Sequence, residues 1–529
     1  MAVSLVVDGR AVDVRDEAAS LLDVLRDEVG ARSVKDGCSP QGQCGCCTVL
    51  VDGAPRVACV TPVRRVAGRE ITTIAGMPEA ARWADAFAAH GASQCGFCTP
   101  GIIVRLAARA RRGPLDAAAV EDALLAHLCR CTGWRTIVEA ALAATRLPGA
   151  EGALSREPGA RGEAAARRAA LEGGTPQRVG RDVALGQGGF ADDGAPSDAL
   201  VAVTAPQGGW VVGPTLRAAR AAAGKVQGRR STVGIIWPID VPPGDWDLTL
   251  QTTWVEPAYL EPDASWCAPG GEPASPLANG GAFGGKASSP VPAAARALAA
   301  EHGRPVRALW SREDVVRHGP KRPPLAAGVR GDGTGVVTVA RTTGIAEAIA
   351  SVAPGLRVDE VDVPGPPTSA ALRGAGWAEA AVLLAALAGA EGPVVVAPSG
   401  AWATARVDAA GVRVRVACGD PLDEAVLRSY CTGAAHQALG WVTSEGIAVG
   451  PDGTVHDLTI RSFGILRATD MPPVHVDVAP PGEAPPGRPG PTPVEPVNGS
   501  DAVFAAVAAA AWAWRGLPPK WPTDPKGAT

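Results

Sequence analysis

The sequence predicts an α+β chain built from several domains. Three observations carry this reading. The first 75 residues alternate like short strands, residues 80–147 show helical Ala/Leu periodicity, and strand-like runs return among Ala-rich helices after residue 181. At about 150 residues per domain, 529 residues make three or four.

The elements follow in order. VSLVVDG and AVDVRD form a hairpin with Asp8-Gly9 at the turn. Leu21, Leu22, Val24 and Leu25 mark a helical stripe within Ser20–Val29, and VLVDG and ITTIAG are further short strands. Helices are expected at Ala80–His90, Gly101–Arg112, Leu115–His127 and Ile137–Thr145, with Pro100 and Pro114 at or near helix starts. Residues 151–180 are rich in Gly, Ala, Arg and Glu with little apolar periodicity, the composition of a linker. Beyond it, GVVTVAR, PVVVAP and VRVRVA read as strands. A Pro-rich loop at 472–496 leads into a helix from about Ser500 to Trp514, closed by Gly516.

Composition narrows the function. Apolar residues make up 46% and charged residues 20%, as in ordinary globular chains. A net charge of -4 argues against a nucleic-acid surface. No run of about 18 apolar residues occurs, so no membrane span is expected. MAVSLVVDGR lacks a signal peptide's charged n-region and apolar core, which points to the cytoplasm. Nine of the twelve cysteines lie before residue 132 in tight clusters. In a chain read as cytoplasmic, such clustering favours metal ligation over disulfides.

The first cluster is Cys38, Cys44, Cys47 and Cys59, in GCSPQGQCGCCTVLVDGAPRVAC. A [2Fe-2S] centre needs four thiolates on two irons and backbone N–H groups to share the negative charge. Plant-type ferredoxins meet that need with C-x4-C-x2-C and a distant fourth Cys. Here the first gap is one residue longer, and Cys46 is a surplus thiol expected to face away from the irons. The second set is Cys95 and Cys98 in QCGFCTPG with Cys129 and Cys131 in LCRCTG, both pairs near helix ends. A CxC pair beside C-x5-C-x2-C is a poor pattern for a zinc site, so two [2Fe-2S] clusters are expected. Cys267, Cys418 and Cys431 are isolated and read as buried structural thiols.

GCSPQGQCGCCTV, QCGFCTPG and CRCTG together resemble the iron–sulfur portion of the xanthine dehydrogenase family of molybdenum hydroxylases. The resemblance spans residues 1–147. It implies a β-grasp, ferredoxin-like domain (1–76) and a four-helix [2Fe-2S] domain (77–150), followed here by the linker (151–180). It also places Gln94, just before a cluster cysteine, beside a pterin. Residues 181–529 then resemble a shortened α/β molybdopterin-binding region. GGAFGGK at 280–286 is similar to the family's Gly-rich turn, which brings Gly281, Phe283 and Gly284 to the molybdenum cofactor. The same letters spell GxxxxGK, but Ala287 stands where a phosphate loop needs Ser or Thr. ALRGAGWAEA resembles the Arg-Gly-x-Gly segment and puts Arg373 near cofactor or substrate, and SRED at 311–314 follows in the family's order. PPGEAPPG resembles the C-terminal Gly-Glu loop, making Glu483 the candidate general base.

Several parts of that pattern are missing. Only GGEPASPLAN separates SWCAP from the Gly-rich turn, with no counterpart of the glutamine that binds the molybdenum oxo group. Gln187 falls too early in the order, and Ala287 replaces the glutamate found in purine oxidases. The flavin domain is absent and no G-x-G-x-x-G follows a strand, so electrons need a separate flavoprotein subunit or soluble acceptor. The leading function is a molybdenum hydroxylase acting on a small-molecule purine, N-heterocycle or aldehyde. The second is an iron–sulfur electron-transfer or scaffold subunit whose molybdenum site is degenerate or completed by a partner. A third is an assembly factor for a related enzyme.

Overall fold

The computed structural model describes residues 3–146, 158–225, 228, 232–277, 280–389, 392–487 and 489–525. The hairpin forms as expected. Strands Ser4–Val7 and Arg10–Asp13 pair antiparallel, and Asp8 (φ 48°) and Gly9 (φ 79°) supply the positive dihedrals of a tight two-residue turn. The hairpin joins a five-stranded mixed sheet by parallel pairing with Glu70–Thr72, and Thr48–Val51 and Ala54–Val57 complete it. Ser20 caps the short helical stretch that follows the hairpin, accepting from the Asp23 N–H.

Four helices then occupy Ala80–Ala89, Thr99–Ala110, Ala117–Ala123 and Arg135–Thr145. Pro100 lies in the first turn of the second, where a missing N–H costs nothing. Asp116 caps the third.

The segment read as a linker holds a 16-residue helix, Pro158–Gly173, while residues 151–157 lie outside the described residues. Ala and Arg are strong helix formers, but this helix has few large apolar residues, so its pattern looked solvent-facing. It docks through small side chains instead. Ala165 and Ala169 pack on Val426 and Tyr430, and the fully buried Arg168 donates to the carbonyls of Pro421 (2.9 Å) and Val497 (2.8 Å).

Among the described residues the remainder forms three four-stranded sheets. The first runs Trp210–Gly213, Leu200–Thr204, Val306–Leu309, Ala264–Cys267. The second runs Leu356–Val361, Gly335–Ala340, Leu325–Val329, Leu248–Gln251. The third runs Val395–Val396, Trp402–Asp408, Gly411–Ala417, Val474–Val478. Helix Glu424–Thr443 is buried almost all round, as a helix at the centre of a domain must be. It packs beside the Ala-rich helix Ser500–Trp514, which lies on the third sheet. The whole is a mixed α/β multidomain chain. Among the described residues no helix is long and apolar enough to cross a membrane.

Candidate functional site: two buried cysteine sets and a filled interior

The loop from Gly37 to Cys47 turns through Gly42 (φ 70°) and Gly45 (φ 73°), which curls the backbone around its cysteines. The Cys38 thiol neighbours those of Cys44 and Cys59, and Cys59 neighbours Cys47, so the four buried thiols form one contiguous set. Backbone amides aim at it: Gln43 N–H reaches Cys38 Sγ and Cys59 N–H reaches Cys47 Sγ, both at 3.4 Å. Such amides offset the charge of an anionic cluster. Cys46 is also buried, its thiol lies 3.9 Å from the Cys44 carbonyl and neighbours the Cys44 thiol, so it borders the set.

The second set gathers at the start of helix Thr99–Ala110 and the loop before Arg135–Thr145. Cys95 and Cys131 sulfurs lie 3.6 Å apart, while Cys98 pairs with Cys129. Two thiolates about 2.3 Å from one tetrahedral metal sit about 3.8 Å apart, so two such pairs match two irons. The neighbouring Cys98 thiol holds that of Cys129 down to about 6. The residues present thus fit two [2Fe-2S] clusters, which would supply one-electron transfer. The two ligand loops touch. Leu128 N–H donates to the Cys44 carbonyl at 3.0 Å, and Gly101 packs on the backbone of Gly45 and Cys46.

Distant parts of the chain clamp these loops. Arg312 donates to the Gly37 carbonyl (2.8 Å), Gln41 bridges Glu313 (2.7 Å) and the Leu458 carbonyl (2.8 Å), and Arg461 donates to the Gln43 carbonyl (2.9 Å). Arg130, between Cys129 and Cys131, forms a buried two-pronged ion pair with Glu445, both bonds 2.6 Å. Gln94 donates to the Cys131 carbonyl (2.9 Å) and Ser429 Oγ (2.8 Å), so its amide is engaged by protein. Of the distant clamping residues, only those of SRED stood out in the sequence, through their place in the order; Ser429, Glu445, Leu458 and Arg461 lie hundreds of residues from the cysteines of the two sets and share no motif with them.

The Gly-rich turn lies against the second set. A Cβ on Gly281 (φ 81°) would sit 3.0 Å from both Cβ and Sγ of Cys95 and 3.4 Å from Cys131 Sγ. On the other side, Gly284 (φ 87°) abuts the Ala371 carbonyl, and Arg373 N–H donates to the Phe283 carbonyl at 3.1 Å. Phe283 itself has φ 50°, an uncommon value for a residue with a side chain. The Arg373 guanidinium lies 5.0 Å from the Phe283 ring and is held by Asp501 (2.9 Å), Ser500 Oγ (3.0 Å) and Gln437 (3.4 Å). Phe283, Gly284 and Arg373 are therefore brought together.

Glu483 is not. It pairs with Arg415 at 2.8 and 2.9 Å, its carbonyl accepts from Trp402 Nε1 (3.1 Å), and its side chain is 33% exposed. Arg415 also lines a broad surface groove of about 1280 Å³ beside Arg413 and His475.

The interior beside the turn is filled. The cavity between Gly281, Cys131 and Lys286 measures about 10 Å³, and that between Phe283, Arg373 and Trp441 about 40 Å³. Sites for bound organic cofactors usually span about 300–1,000 Å³. Ion pairs occupy the surroundings: Lys286–Glu261 (2.6 Å), Arg322–Glu379 (2.7 Å) and Arg130–Glu445. Burial raises the Glu261 carboxyl to about 7 against the opposing pull of Lys286. A pterin–molybdenum group does not fit around Gly281, Phe283 and Arg373 as they stand.

Comparison with known proteins places the fold. Residues 73–142 match the model of the [2Fe-2S] binding domain family. The chain is 36% identical over 146 residues to the xanthine dehydrogenase iron-sulfur-binding subunit of Escherichia coli O157:H7, covering 26% of this chain and 91% of that one. It is 43% identical over 139 residues to the aldehyde oxidoreductase of Megalodesulfovibrio gigas, 24% of this chain but 15% of that protein. The solved aldehyde oxidoreductase from Desulfovibrio gigas superposes with a TM-score of 0.72 at 15% identity, spanning 100% of this chain and 99% of that chain. These likenesses define an iron–sulfur oxidoreductase fold. The chain belongs to the xanthine dehydrogenase family of molybdenum hydroxylases.

Proposed function

We propose that this chain is a two-cluster electron carrier of the molybdenum hydroxylase family, with a C-terminal half that serves as a scaffold for the cluster loops. The observation that carries this reading is the filled interior. The Gly-rich turn presses on Cys95 and Cys131 and leaves a cavity of about 10 Å³, while Arg373 is fully engaged by protein groups. The same half holds Gly37, Gln41, Gln43 and Arg130 in place. In this reading Gln94 and Gly281 position the second cluster, and Cys38, Cys44, Cys47 and Cys59 ligate the first. Electrons arrive from and leave to separate proteins, a flavoprotein subunit or soluble acceptor among them. The twelve free cysteines suit a reducing, cytoplasmic compartment.

Anaerobic purification followed by metal analysis and EPR tests this. About four iron, no molybdenum and two distinct reduced cluster signals per chain are expected. A second reading, catalytic hydroxylation of an aldehyde, purine or other N-heterocycle, draws on the Phe283–Arg373 contact, which puts side by side two residues that the resemblance assigns to the cofactor. One molybdenum per chain with turnover of such a substrate would establish it and remove the carrier reading.

A further inference from the structure

The first cysteine set is closed on most sides. Gln41 and Gln43 are held under Glu313, Leu458 and Arg461, and Leu128 and Gly101 cover Cys44 and Cys46. One edge stays open. Val60, next to Cys59, is 53% exposed, and its side chain lies over Gly42, where an added Cβ would meet Val60 Cγ1 at 3.0 Å. The Gly42–Val60–Cys59 edge therefore reaches water beside the Cys59 thiol.

That edge is set in positive charge. Between Asp52 and Glu70 the chain carries Arg56, Arg64, Arg65 and Arg69 and no acidic residue, in a protein whose net charge is -4. Arg69 pairs with Asp52 at 2.6 Å. Arg56, Arg64 and Arg65 are exposed and make no ion pair among the described residues. They sit on the strand Ala54–Val57 and the turn Val63–Val66, directly before and after Cys59. Three exposed like charges within five residues of an exposed apolar side chain gain nothing from ion pairing within the fold. They are what an encounter surface for an oppositely charged partner requires, since complementary potentials raise association rates by about 10–10³-fold.

We infer that Arg56, Val60, Arg64 and Arg65 form the docking face for a one-electron redox protein with an acidic surface. This rests on the carrier reading and names its partner's chemistry. In the transfer, the reduced cluster loses one electron and returns to its oxidised form, and the flavin or iron centre of the acceptor gains it. No bond or proton moves at the cluster. Edge-to-edge contact at Val60 places the acceptor next to Cys59.

The test uses the full chain with both clusters, reduced with stoichiometric dithionite and mixed by stopped flow with an acidic rubredoxin or a basic cytochrome c. The rubredoxin rate should fall about tenfold or more between low and high salt. The R56E/R64E/R65E variant should lose about tenfold or more at low salt, with both EPR signals intact and the cytochrome c rate unchanged or raised. The corresponding triple Gln variant should fall between the two. An unchanged rubredoxin rate and salt dependence in the Glu variant overturns the docking face. Equal loss toward both acceptors overturns it as well, because that reports damage to the cluster and not lost steering. A wild-type chain without EPR-visible clusters removes the carrier reading itself, an outcome distinct from salt-independent transfer by intact clusters.

Discussion

The first 146 residues and the region from 181 onward have kept different things from the same family. The front keeps its sequence, at 36–43% identity to relatives, and gathers eight cysteines into two sets. The back lies within a superposition at 15% identity overall, and its turn and Arg373 segment pack directly on their neighbours. A cluster site is local: four sulfurs within two short loops make it, and each thiolate is needed. A cofactor cavity is a property of many segments at once. The sheets and the helix pair Glu424–Thr443 and Ser500–Trp514 hold together through their own apolar faces, whether or not a cavity persists beside them. On the carrier reading, a fold outlasts the site its relatives frame.

The sharpest way to break this comparison is at the front. Cys47→Ser should remove one EPR signal and drop iron from about four to about two per chain, whereas Cys46→Ser should leave both signals. If Cys46→Ser abolishes a cluster, the ligand assignment is wrong and Cys46, which touches Cys44, is a ligand.

The link between the halves comes next. Glu445 is 2% exposed and answers Arg130 between Cys129 and Cys131. Glu445→Ala leaves that guanidinium buried and unpaired, which costs about 3–5 kcal/mol. Denaturant unfolding should show that loss together with a perturbed second-cluster signal. A stable variant with both signals unchanged would mean that the back half does not clamp the front.

How much of this was legible follows the same division. The hairpin, the four helices and the cysteine sets were readable because each depends on neighbours within a few residues: Asp8-Gly9 at a turn, Pro100 at a helix start, CxxC spacing. The helix Pro158–Gly173 was missed because it docks through Ala165, Ala169 and a buried Arg168, residue types that look solvent-facing in a sequence. Glu483 was singled out by its place in a loop, but Arg415, 68 residues earlier, decides where its carboxylate sits. Nothing local to Gly281 says that Cys95 lies 3.0 Å from the place its Cβ would take.

That contact gives the third test. Gly281→Ala adds a methyl against Cys95 and forces a side chain onto φ 81°, a cost of about 1–2 kcal/mol from the backbone alone. The second-cluster signal should shift or broaden while the first stays as it was. No change in either signal would mean that the turn is not seated on the second cluster.

The smallest effect is expected at Glu483, and that smallness is what makes it informative. Were Glu483 the base of a hydroxylase, Glu483→Gln would abolish most turnover, because a positioned base contributes about 10²–10⁴-fold. Its surroundings argue otherwise. The carboxylate is one-third exposed and shares Arg415, itself 38% exposed, with Asp477. Exposed ion pairs of this kind are worth about 0–1 kcal/mol. Glu483→Gln should therefore lower stability by less than about 1 kcal/mol, leave iron content and both EPR signals unchanged, and leave electron transfer to rubredoxin at the wild-type rate. Arg415 keeps Asp477 as a partner in the variant, so the strands Gly411–Ala417 and Val474–Val478 remain paired. A large loss of substrate turnover on this one change, with metal content intact, would reverse the comparison and return catalysis to the back half.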